Sequence, residues 1–143
     1  MKQKILTLAA AALFTATAWA GDIKVDVKTT NPWGEAKYDV ANSTLTIEKA
    51  WQGCGWWLDK DLSKYATVEV KFAKPLPVEA VFMVIYKEKN EKGENIMQRV
   101  TVKAGAKEVT VKLDDTKKSG VNGFGFNGMA AGKVVFKSIT IEE

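Results

Sequence analysis

The sequence predicts an all-β domain: a two-sheet antiparallel β-sandwich of jelly-roll type with nine or ten strands. Apolar residues alternate with period two in short segments, and glycine or polar turn clusters punctuate them every eight to twelve residues. No segment offers the dozen-residue helix that a parallel crossover needs. An up-and-down barrel is the structural alternative.

Residues 1–20, MKQKILTLAAAALFTATAWA, stand apart from this pattern. Lys2 and Lys4 give a positive start, Ile5 to Thr17 form an almost uncharged apolar run, and Ala18-Trp19-Ala20 supplies a signal-peptidase pattern. The run is short for a bilayer span and no stop-transfer segment follows, so we expect cleavage before Gly21 and no membrane insertion afterwards. The mature chain, residues 21–143, is then one exported domain, periplasmic or extracellular. Its lone cysteine, Cys54, cannot form an internal disulfide, so stability must come from packing.

Strands are expected near residues 22–28, 36–40, 43–49, 51–58, 67–73, 78–87, 96–103, 107–113, 121–127 and 133–142. Val, Ile and Thr dominate them, as a half-buried pleated surface prefers. The segments ANS, KPLP, KNEKGEN, AGA, DDTKKSG and GMAAG read as turns or loops, and TTNPWGEA as a loop. LDKDLSKY offers at most one helical turn between strands. The sequon Asn42-Ser43-Thr44 is better explained as a β-turn entering a strand.

Alternation assigns faces. Val109, Val111 and Leu113 point one way in their strand. In 133–142 the core face is ambiguous, and a bulge near Lys137 would let Phe136 join Ile139 and Ile141 inside. Phe124 and Phe126 share a face, which leaves Gly123, Gly125 and Asn127 on the other. Glycines weaken a strand unless something needs close approach to its backbone.

The chain has no histidine, which removes the usual general base, Ser/His and Cys/His pairs, and His-based zinc sites. Asp59 with Asp61, Glu88 with Glu91, and Asp114 with Asp115 are the carboxylate pairs that could hydrolyse a glycoside, but each sits at a strand end or in a lysine-containing loop. No catalytic residue is therefore assigned. No cofactor is expected; DKD at 59–61 could contribute to a structural Ca²⁺ site, without fuller ligand spacing to accompany it. Without Lys2 and Lys4 the chain carries 19 basic against 17 acidic side chains, scattered along it, so nucleic acid is not an expected partner.

Three tryptophans crowd AWQGCGWWLDKDLSKY, residues 50–65. Read as a strand, 51–58 puts Trp51, Gly53, Gly55 and Trp57 on one face and Gln52, Cys54, Trp56 and Leu58 on the other. Cys54 and Leu58 make the even-numbered face the better core candidate, leaving Trp51 and Trp57 outward; the opposite assignment stays open. An exposed aromatic patch rimmed by polar groups marks a binding site. Indole suits the apolar face of a sugar ring, and sheet glycines leave room for a ligand to lie flat.

GWWLDKDLSKYATVEVKF resembles a segment of the carbohydrate-binding modules of the galactose-binding-like jelly-roll superfamily. VTVKAGAKEVTVKL is similar to their penultimate hairpin, and VNGFGFNGMAAGKVVFKSITIEE to their closing one. The resemblance implies a non-catalytic domain that holds a polysaccharide across a concave sheet or at edge loops. It implies Trp57 and Trp51 as stacking platforms, Trp33 as a further one, and Tyr86, Gln98, Arg99 and Asn127 as polar contacts. A structural or protein-interaction β-sandwich of the cell envelope is the alternative, and a small glycoside hydrolase the third reading.

Overall fold

The computed structural model describes residues 21–143, so the expected signal peptide lies outside the described residues. Eleven strands form two antiparallel sheets. They are β1 (Ile23–Val25), β2 (Asn31–Trp33), β3 (Lys37–Asp39), β4 (Thr44–Ile47), β5 (Gly53–Lys60), β6 (Thr67–Phe72), β7 (Ala80–Lys89), β8 (Asn95–Val102), β9 (Glu108–Lys112), β10 (Val121–Gly128) and β11 (Gly132–Glu142). One sheet runs β3-β4-β11-β6-β9, with β1 pairing the far end of β11; the other runs β2-β5-β10-β7-β8. The jelly-roll sandwich expected from alternation is the observed fold.

Two local expectations need correcting. Residues 31–33, read as loop, form the edge strand β2 against the start of β5. Pro32 lacks a backbone donor, which only an edge strand tolerates. The single turn of helix considered in LDKDLSKY is absent: β5 runs on to Lys60, and a loop follows. That loop is anchored by buried Leu62 and Tyr65. Leu62 N–H donates to the Lys118 carbonyl, and Asp61 Oδ1 accepts from Ser63 N–H at 2.9 Å.

The core lies between the sheets. Trp56, Phe82, Phe124, Phe126 and Tyr86 enter it from the second sheet, and Leu45, Ile47, Val70, Phe136, Ile139 and Ile141 from the first. β11 shifts register between Phe136 and Ser138, so Phe136, Ile139 and Ile141 are all buried, as a bulge near Lys137 requires. Phe136 is the hub of the aromatic packing. Trp56 and Phe126 both meet it edge-on at 5.1 Å, and Phe72 and Tyr38 flank it at 5.9 and 6.5 Å.

The Val27 carbonyl accepts from both Trp56 Nε1 and Tyr38 Oη. Cys54 packs fully buried beside this pair. Burial pushes the Cys54 thiol from its ordinary 9.0 up to about 12 and, as the leading cause, the Tyr38 phenol from 10.0 up to about 12. Raised folded-state values mean the neutral groups' stabilisation is complete below their unfolded pKa and is lost as pH climbs through the folded one. Denaturant unfolding should therefore show stability falling between pH 9.0 and about 12, with Tyr38 of the folded protein ionising only near the upper end of that range. Ionisation of Tyr38 near pH 10.0 in a protein of undiminished stability would contradict the packing described.

Candidate functional site

The register of the second sheet decides which side chains share its outer face. β10 pairs with β5 so that Phe124 faces Trp56 and Phe126 faces Cys54, all inward. The intervening pairs, Gly123–Trp57, Gly125–Gly55 and Asn127–Gly53, therefore point outward. β7 adds Val81, Met83 and Ile85 to that face, and β8 adds Thr101, Arg99 and Met97 opposite them. Three rows result. Trp57, Gly123, Ile85 and Met97 form one; Asn31, Gly55, Gly125, Met83 and Arg99 the next; and Trp33, Gly53, Asn127, Val81 and Thr101 the third.

The expected split of the adjacent tryptophans holds. Trp56 is 1 % exposed in the core, whereas Trp57 is 54 % exposed on the outer face. The glycines beside Trp57 differ in use from the expectation: they make room first for the protein's own indoles. A Cβ at Gly55 would lie 2.8 Å from Cζ3 of Trp33 and 3.1 Å from Cζ2 of Trp57. One at Gly125 would lie 2.9 Å from Cε of Met83 and 3.1 Å from Cη2 of Trp33, and one at Gly123 3.0 Å from Cε3 of Trp57. The Trp33 benzo ring thus covers the Gly55–Gly125 pair. Cζ2 and Cε3 are opposite corners of the Trp57 ring, so that ring spans from Gly55 to Gly123.

Trp33 is also pinned. Its Nε1–H donates to Asn127 Oδ1 at 2.7 Å, a bond from edge strand β2 across β5 to β10. Half-buried Trp33, exposed Trp57 and the near-buried Met83 and Ile85 form a continuous apolar floor. Asn127 lies on this face as expected, with its carbonyl oxygen committed to Trp33. Arg99 lies on it too, exposed.

Other expected site residues fall elsewhere. Trp51 is 58 % exposed, but it precedes β5 in a turn with φ of 73°, so strand alternation does not carry through to it. Tyr86 and Gln98 occupy even-numbered positions of β7 and β8 and turn away from the Trp57 face. Tyr86 is buried; its hydroxyl donates to Gln98 Oε1 at 2.7 Å and accepts from Asp114 N–H at 2.9 Å. Gln98 Nε2 donates to the Lys112 carbonyl at 2.8 Å. The pair closes a seam between the sheets. Met83, Ile85 and Met97 were missed by sequence reasoning, because their parity relative to Trp57 depends on strand pairing.

Five of the six candidate carboxylates are tied to cations or local donors. Asp59 pairs with Lys87, whose hydrogen bond and charge hold it below the usual carboxylate range. Hydrogen bonds from Ser63, Thr116 and Lys118 do the same for Asp61, Asp114 and Asp115. Glu88 pairs with Lys117 at 3.5 Å. No three His, Cys, Asp or Glu side chains gather into a metal-binding group among the described residues.

No protein-family model matches the chain, and no curated protein matches it. Solved structures share its fold. A low-affinity xylan-binding module, CBM86, from Roseburia intestinalis is 16% identical with a TM-score of 0.57, over 86% of this chain and 96% of that one. The family 11 carbohydrate-binding module of a Clostridium thermocellum cellulosomal cellulase is 14% identical with a TM-score of 0.61, over 87% and 96%. A Clostridium thermocellum family 11 module in complex with a β-1,3-1,4-mixed-linked tetrasaccharide is 16% identical with a TM-score of 0.57, over 87% and 97%.

Two outcomes follow, one for this surface and one for the seam. Gly55→Ala should push Trp33 off its bond to Asn127, costing about 1–3 kcal/mol and increasing acrylamide quenching of tryptophan fluorescence. Unchanged quenching would mean that the glycine floor does not seat the indoles. Tyr86→Phe should lower stability by about 1–3 kcal/mol in urea, because Gln98 and the Asp114 N–H lose a partner, while leaving that quenching unaltered.

Proposed function

We propose that this chain is an exported, non-catalytic carbohydrate-binding domain. The observation that carries the reading is the Trp33–Trp57 floor: two indoles seated on sheet glycines, with Trp57 presenting its ring to solvent. Such a surface complements the C–H face of pyranose rings, and the neighbouring Asn31, Thr101, Arg99 and the Asn127 amide supply rim donors for hydroxyls. Solved modules of this fold are described as binding xylan or a mixed-linked glucan, which supports the same class of ligand here. Trp51, exposed beyond the start of β5, is available to a longer chain.

The non-catalytic part rests on the carboxylates. Glycoside hydrolysis needs one carboxyl kept protonated beside an ionised partner. Asp59, Asp61, Asp114 and Asp115 are instead held ionised by lysines, Ser63 and Thr116, and none stands on the Trp33–Trp57 floor. Export follows from residues 1–20, with cleavage before Gly21 delivering the domain to the periplasm or beyond.

Affinity electrophoresis through xylan and mixed-linked β-glucan gels should show retardation of the mature protein. Trp57→Ala should weaken it by about tenfold or more, with the unfolding midpoint little changed because Trp57 is half-exposed. Absence of retardation on any glycan, or identical retardation for Trp57→Ala, would overturn the proposal. Capture of an envelope protein through the same tryptophan would favour the protein-interaction alternative.

A further inference from the structure

Across the three rows of the outer face, one side chain is charged: Arg99. It is the single arginine of a chain whose Lys and Arg total 21, and its neighbours along and across the strands are Met97, Thr101, Met83, Val81 and Ile85. None of these offers a carboxylate. Among the described residues no ion pair includes Arg99, and its one side-chain hydrogen bond runs from Nη2 to the sulfur of Met97 at 3.6 Å. Thioether sulfur is a weak acceptor, so the guanidinium fork keeps nearly all its donor capacity.

Its position relates it to the indoles. Arg99 shares a row with Met83, Gly125 and Gly55, the last two lying beneath Trp33. Gly125 is two strands away, roughly 10 Å between backbones, and the long arginine side chain can close much of that gap. Asp59, two residues beyond Trp57 on β5, is paired with Lys87.

We propose that the glycan held on this face is acidic: a uronic-acid-bearing polysaccharide whose sugar rings stack on Trp57 and Trp33 while a carboxylate takes the Arg99 fork. Guanidinium matches carboxylate with two parallel hydrogen bonds, a geometry that lysine cannot supply. Only the weak contact to the Met97 sulfur precedes such a pair, so no carboxylate has to be displaced to form it. This inference rests on the carbohydrate-binding reading and adds the chemical class of the sugar.

The test uses affinity gels of polygalacturonate, alginate and glucuronoxylan, each also after reduction of its carboxyl groups, with dextran sulfate and neutral xylan alongside. At least one native polyuronate should retard the wild type about tenfold more strongly than its reduced form. Arg99→Gln should remove that difference, and Arg99→Lys should restore only part of it. Added salt should weaken the native interaction and spare the reduced one. Equal affinity for native and reduced polymers, or binding confined to neutral xylan, would overturn the inference while leaving the carbohydrate reading intact. Equal binding to dextran sulfate without dependence on Trp57 would identify simple ion exchange and overturn both, as would no binding to any polymer.

Discussion

The register between β5 and β10 is the constraint on which the rest depends. These strands sit side by side at the centre of the second sheet, and pleating sends their side chains alternately to its two faces. Cys54, Trp56, Phe124 and Phe126 go inward, while Gly53, Gly55, Gly123 and Gly125 go outward. A slip of one residue would set glycines against the other sheet and three large aromatics in water. The glycines also guard the pairing from the other side. A Cβ at Gly53 would strike the Phe126 carbonyl, and one at Gly123 the Trp56 carbonyl.

The two faces created by this register do different work. Inside, Trp56 and Phe126 converge edge-on upon Phe136, which the β11 bulge turns inward from the opposite sheet. Outside, the missing side chains leave a trough that Trp33 and Trp57 fill from above. An indole seated on backbone and fixed by the Trp33–Asn127 bond would lose little freedom in the proposed binding role. The surface is preorganised. The sandwich stabilises the site by holding its floor flat, with the Tyr86–Gln98–Lys112 seam and the buried loop anchors Leu62 and Leu76 keeping the sheets closed.

Much of this was legible in the sequence because period two is a local property. Alternation alone separates Trp56 from Trp57 and pairs Phe124 with Phe126, and it leaves 133–142 open to a bulge near Lys137 that brings Phe136 in with Ile139 and Ile141. What alternation cannot supply is the parity of one strand relative to another. Tyr86 and Gln98 looked available for ligand, yet their strands pair so that even positions face the seam. Met83 and Ile85 were invisible as floor residues for the same reason. Trp51 escaped the pattern because a left-handed backbone precedes β5, and β2 because three residues around a proline carry no alternation to read. Leu62 and Leu76 lie in loops whose turn chemistry conceals a buried side chain.

The division of labour among the tryptophans is the centre of this account, and their indole N–H resonances report on it directly. Titration of the mature protein with an oligosaccharide cut from a bound polymer should move the Trp33 and Trp57 signals together with the Arg99 side chain, and leave Trp56 in place. Shifts confined to loops away from β2, β5 and β10, with both outer indoles unmoved while the sugar binds, would contradict it.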